Sequence, residues 1–160
     1  VVCVIDSDAG DLKSYQTENV RYMDSEENVY SFFSELLPVF KERNRLKHEL
    51  EAKDCEEEEI YEVMAEQEPY FIFIADMKWF VRFVTESQYQ MKGFLVNILT
   101  KGSLHNIYFF STVSVKDHQE VFGDELYEAF TGHKTGVHFG GNTAENRVLD
   151  FEYIPYSGKK

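Results

Sequence analysis

Short unbroken runs of apolar residues alternate along the chain with longer stretches in which apolar residues recur every three or four positions. Three segments have the length of buried strands: Val1–Ile5, Tyr70–Asp76, which ends in a carboxylate, and Ile107–Thr112, which ends in hydroxyls. Unbroken apolar runs of this length are typical of parallel strands that are covered on both faces. We therefore predict a parallel sheet in which the run from Tyr70 is a central strand, buried on both sides.

The stretches between these runs predict helices. Apolar residues from Val29 to Phe40 follow the i, i+3, i+4 spacing of one buried stripe. Pro38 lies inside the stripe and cannot donate a backbone hydrogen bond, so we expect a kink or a restart there. The charged residues at 41–59 predict a solvated helical extension and loop. Helical spacing resumes at Trp79 and ends at Gly102, a residue suited to a C-terminal cap.

The remaining segments have weaker patterns. Val20–Met23 is a short strand candidate, a short helix is predicted around Asp124–Phe130, and Gly136–Phe139 and Val148–Tyr153 are further strand candidates. Strands that alternate with helices imply right-handed crossovers and a parallel sheet between helical layers. The predicted fold class is α/β. Residues 1–160 are predicted to form one three-layer αβα domain with a mainly parallel sheet.

Composition narrows the possible functions. The chain has 160 residues, of which 43% are hydrophobic, which is enough for the core of one domain. Its net charge of −13 argues against a nucleic-acid groove, because phosphate binding depends on clustered Lys and Arg. A protein partner or a small molecule fits this charge better.

Cysteine usage and hydropathy bear on the compartment. Cys3 and Cys55 form neither a disulfide framework nor a metal-ligand spacing, which predicts a reducing compartment. The spacing of the five histidines predicts no metal site either. No apolar stretch approaches the roughly 20 residues that a membrane-spanning helix needs.

Candidate chemistry centres on Asp76, the carboxylate that ends the strand from Tyr70. In P-loop nucleotide hydrolases a strand like this presents an Asp that holds the metal ion, usually followed by a Glu that polarises the attacking water. Met77 stands at that next position, and Met can neither orient water nor accept its proton. Asp76 is therefore either part of a degenerate nucleotide or metal site or a cap on the following helix.

Several segments, in the right order, resemble the FtsK/SpoIIIE branch of the RecA-like ATPases, and most closely its type VII secretion motors. Val4–Leu12 looks like the family's strand with its Asp and Gly-containing turn, and Phe32–Leu46 looks like its helix that ends in basic residues. The strand to Asp76 resembles the Walker B strand, and Phe109–Ser114 resembles the sensor strand. Gly136–Asp150, which contains Asn-Arg-Val-Leu-Asp, is similar to a late strand and turn.

The departures from the family pattern concern the phosphate site. The Walker A loop, whose backbone amides and Lys hold the phosphates, is absent from these residues, and we expect it upstream of Val1 if the parent chain has one. Val113 stands where the sensor strand usually has Gln. The resemblance therefore implies a partial, degenerate ATPase domain with weak or absent hydrolysis. It implies no cofactor in this fragment, and ATP with Mg²⁺ only in a full-length parent.

Five residues are candidates for a site, none of them catalytic. Asp76 and Thr112 match nucleotide-site or metal-site positions, although a strand-end hydroxyl also explains Thr112. Arg147 resembles an Arg that the family places near inter-domain or subunit contacts, and the alternative is an exposed ion-pair partner. Trp79 and Phe80 are candidate partner-binding aromatics, and the alternative for both is core packing.

The resemblance implies a regulatory or substrate-recruiting module of a type VII protein secretion motor, in the cytosolic part of a plasma-membrane protein. Its expected partners are neighbouring ATPase domains and small helical secreted substrates. Nucleic acid and direct membrane contact by this domain are not expected. One alternative is an active motor domain whose Walker A loop precedes residue 1, and a second is a stand-alone α/β protein-interaction domain.

Overall fold

The computed structural model describes residues 1–7, 10 and 12–111, five positions between 123 and 129, and the strands at 136–140 and 150–154. Thr112 and Arg147, two of the candidate site residues, lie outside the described residues. Among the described residues, no helix is both long enough and apolar enough to cross a membrane.

Four parallel strands form the central sheet. They are β1 (Val2–Ile5), β2 (Val20–Met23), β3 (Tyr70–Ile74) and β4 (Ile107–Ser111), in the order β2-β1-β3-β4. β1 and β3 are therefore the interior strands of the sheet that the structure describes. This arrangement confirms the predicted α/β class and is consistent with a RecA-like three-layer architecture.

Two helices connect β2 to β3, and two more connect β3 to β4. Between β2 and β3 lie α1 (Glu26–Glu51) and α2 (Glu57–Ala65), and between β3 and β4 lie α3 (Met77–Glu86) and α4 (Lys92–Lys101). Short 3₁₀ turns occur at Lys13–Tyr15 and Gly102–His105. The described positions between 123 and 129 are helical. The predicted late strands are present as β5 (Gly136–Gly140) and β6 (Asp150–Ile154), which pair antiparallel in a separate sheet.

One face of the central sheet shares a single core with α1, α3 and α4. Phe33 of α1 lies with its ring centroid 6.2 Å from the rings of both Phe80 in α3 and Phe94 in α4. Burying this many aromatic and aliphatic side chains is the main stabilising contribution to the fold. The strand residues in this core are Cys3, Ile5, Met23, Ile72, Ile74, Ile107 and Phe109.

The other face of the sheet is partly open, which corrects the prediction that the strand from Tyr70 is buried on both sides. Burial alternates along β3, so that Ile72 and Ile74 are buried while Phe73 is 41% exposed. Phe110 on β4 is 44% exposed. An unbroken apolar run does not distinguish the two faces of a strand, because burial depends on which face a helix covers.

The helices also differ from the predictions in detail. α1 runs through Pro38 as one element, so the predicted restart is absent. The acidic run that was expected to form a loop begins α2, because Glu56 and Glu59 form a capping box at its N-terminus. Gly102 follows α4 in a right-handed conformation, and a Cβ there would lie 2.9 Å from the Ile107 carbonyl oxygen. Close packing, and not a left-handed cap, therefore explains this glycine.

At the amino edge of the sheet, buried polar side chains hydrogen-bond the backbone of the segments that precede β3 and β4. Arg43, on the part of α1 predicted to be solvated, is only 5% exposed. Its guanidinium donates to the carbonyl oxygens of His105 at 2.7 Å and Glu68 at 2.6 Å, and lies 5.4 Å from the Tyr70 ring centroid. The Asn106 amide donates to the Gln67 carbonyl oxygen at 2.6 Å. These bonds fix the turns that lead into β3 and β4.

Candidate functional site

Asp76 lies at the carboxyl edge of an interior parallel strand, where the sequence predicts it. β3 pairs with β1 on one side and with β4 on the other. The Ala75 amide donates to the Ile5 carbonyl oxygen at 2.8 Å, which continues the pairing one residue beyond β3. Ligands of open α/β sheets bind at the carboxyl edge, so Asp76 lies at the edge where a site is expected.

The Asp76 carboxylate caps α3. Its backbone is extended, and its Oδ1 accepts a hydrogen bond from the Trp79 amide at 2.9 Å. This is the arrangement of an N-cap, which typically stabilises a helix by about 1 kcal/mol. The structure therefore shows the capping role that the sequence left open as an alternative. A nucleotide or metal role for Asp76 stays a prediction.

Met77 begins α3 with its side chain in the core. It is 5% exposed and belongs to the same buried cluster as Phe80 and Val84. A carboxylate with this orientation would lie among apolar side chains and not beside a bound phosphate, and an unpaired charge is costly to bury. Residue 77 therefore offers this edge of the sheet no polar group, because its side chain is apolar and packs in the core.

Asp6, which follows β1, is the second carboxylate at this edge. It is buried, and its oxygens accept hydrogen bonds from the Ser7 amide at 2.8 Å, the Leu12 amide at 3.0 Å and the Tyr22 hydroxyl at 2.8 Å. Burial alone would raise the pKa of Asp6, but these donors together hold its pKa below the usual value. Asp6 therefore organises the turn after β1 as an ionised acceptor.

The described residues do not fit a complete site for ATP and Mg²⁺. Asp6 has both carboxylate oxygens in hydrogen bonds, and Asp76 has one in the cap. Over the part of the chain that the structure describes, no group of three or more His, Cys, Asp or Glu side chains could hold a metal ion. The sequence of residues 1–160 contains no Gly-rich loop ending in Lys and a hydroxyl residue.

The two candidate partner-binding aromatics have different environments. Phe80 is 2% exposed and packs in the core, which is the alternative that the sequence left open. Trp79 is half-buried, with its ring 5.9 Å from the Phe83 ring and nearly parallel to it. Nearby on the surface, Tyr30 stacks on Tyr89 at 4.2 Å. A partner contact remains a prediction for Trp79, whereas Phe80 offers a partner no surface.

Sequence reasoning missed two features of the molecule. Arg43 belongs to the charged segment predicted to be solvated, but it lies three residues after Phe40 and continues the i, i+3, i+4 stripe, a signal that Arg45 lacks. The exposed rings of β3 had a visible signal, because aromatic residues at 71 and 73 alternate with aliphatic residues at 72 and 74. That period of two indicates that the faces of the strand differ.

Comparison with solved structures supports the fold, whereas no family model and no curated protein matches the chain. Among solved structures, the cytoplasmic domain of EssC superposes with a TM-score of 0.64 at 13% sequence identity. The match covers 92% of this chain and 27% of that chain. The chain thus spans about a quarter of the length of that chain and shares its fold over this part.

Proposed function

We propose that this chain is a degenerate FtsK/SpoIIIE-like ATPase domain of a type VII protein secretion motor, which serves as a regulatory or substrate-recruiting module and hydrolyses ATP weakly or not at all. The observation that carries the proposal is the turn after β3. There Asp76 caps α3 and Met77 packs in the core, so the position next to Asp76 offers no group to activate water.

The likeness to the cytoplasmic domain of EssC supports the fold and the secretion context of the proposal. A cytoplasmic location, as part of a membrane-anchored protein, is proposed on the same ground. The third C-terminal ATPase domain of that motor is the specific counterpart that we propose. Its sequence support is the ordered set of segments from Val4 to Asp150.

Charge supports a recruiting role. The chain has 29 acidic and 16 basic residues, which favours basic protein surfaces and disfavours nucleic acid. We propose neighbouring ATPase domains and small helical secreted proteins as partners. Arg147 would act at a contact between domains, and Trp79 would contribute to a partner surface.

The alternative places a Walker A loop before residue 1, so the proposal is tested by calorimetric titration, with ATP in the presence of Mg²⁺, of the domain extended upstream of Val1. We expect no binding in the micromolar range, and no change when Asp76 is replaced in the Asp76→Asn variant. Micromolar binding that Asp76→Asn weakens would contradict the proposal and favour the alternative of an active motor domain. Circular dichroism of both proteins controls for folding.

A further inference from the structure

We draw no further inference here: the strongest candidate, the surface patch of stacked rings that Phe71 and Phe73 of β3 form with Tyr108 and Phe110 of β4 on the face of the sheet opposite α1, α3 and α4, carries none, because nothing among the residues that the structure describes shows what covers it.

Discussion

At each end of the central sheet, a buried charged side chain hydrogen-bonds the neighbouring turns. The charge is positive at one end and negative at the other. At the amino edge, Arg43 is a buried cation that donates to two backbone carbonyls. At the carboxyl edge, Asp6 is a buried anion that accepts from two backbone amides and the Tyr22 hydroxyl. Neither group has an oppositely charged side chain among these partners. Backbone dipoles satisfy each charge, as buried polar groups require.

The two ends differ in whether a polar side chain is accessible to a ligand. The amino edge is closed by Arg43, His105 and Asn106, all of which are buried. At the carboxyl edge Asp76 is half-buried, and only its Oδ1 is engaged in the cap. The edge where α/β proteins bind ligands thus has a half-buried carboxylate, whereas the residue that follows it faces the core. Four substitutions or titrations test this comparison.

The largest effect is expected from Met77→Glu, which places a carboxylate in the core. An unpaired buried charge costs about 4 kcal/mol, and we expect the free energy of unfolding in urea to fall by about that amount. Met77→Leu, which keeps the volume, should cost less than about 1.5 kcal/mol. Equal stability of the two variants would show that residue 77 can face the site.

Arg43→Ala tests the amino edge. It leaves the His105 and Glu68 carbonyls without their charged donor and removes the contact with Tyr70, so we expect a loss of about 3 kcal/mol in urea unfolding. Arg45→Ala is the control, because Arg45 is exposed and pairs with Glu42 and Glu49. That change should cost less than about 1 kcal/mol. Similar losses would mean that Arg43 does not fix the turns before β3 and β4.

The pH dependence of stability reports on His105. Burial, with the nearby Lys47, Lys101 and Arg43 charges, lowers the pKa of His105 to about 4. Below pH 6.5 the unfolded chain takes up a proton while the folded His105 stays neutral, so stability falls between pH 6.5 and 4 by about 3 kcal/mol.

His105→Phe should flatten this part of the pH profile, because a ring of similar shape can pack against Phe40 without titrating. Urea unfolding of the wild type and of this variant at a series of pH values measures the difference. A profile that His105→Phe does not alter would show that this histidine is not buried as a neutral group.

The smallest effects compare the two carboxylates. Asp6→Ala removes the acceptor of three hydrogen bonds and should cost about 2 kcal/mol in thermal or urea unfolding. Asp76→Ala removes one cap and should cost about 1 kcal/mol. A larger loss of stability in Asp76→Ala than in Asp6→Ala would show that the carboxylate after β3, and not the one after β1, contributes more to the stability of the fold.

Much of the fold could be predicted from local patterns. The apolar runs located β1, β3 and β4, and the helical spacing located α1, α3 and α4. The helix α2 was missed because its N-terminal signal is made by Glu56 and Glu59, a less usual capping pair than Ser or Thr with Glu. The partly open side of β3 had a signal in the alternation of aromatic and aliphatic residues at 71–74, but only the tertiary fold shows which face the helices cover.

The candidate site was only partly predictable. The place of Asp76 follows from a strand that ends at a carboxylate, and the structure confirms that place. The orientation of Met77 depends on how α3 packs beneath the sheet, which no spacing in the sequence specifies. Helical spacing places Arg43, and not Arg45, on the buried stripe that contains Phe40. What the sequence does not specify is the pair of backbone carbonyls that accept from the buried guanidinium.

Single-turnover hydrolysis of radiolabelled ATP with Mg²⁺, using an excess of the domain extended upstream of Val1, tests the central claim most directly. Asp76→Asn serves as the reference for contaminating activity. If the turn after β3 offers no group that activates water, phosphate release by the wild type and by Asp76→Asn will be the same. Faster release by the wild type, abolished by Asp76→Asn, would contradict the account.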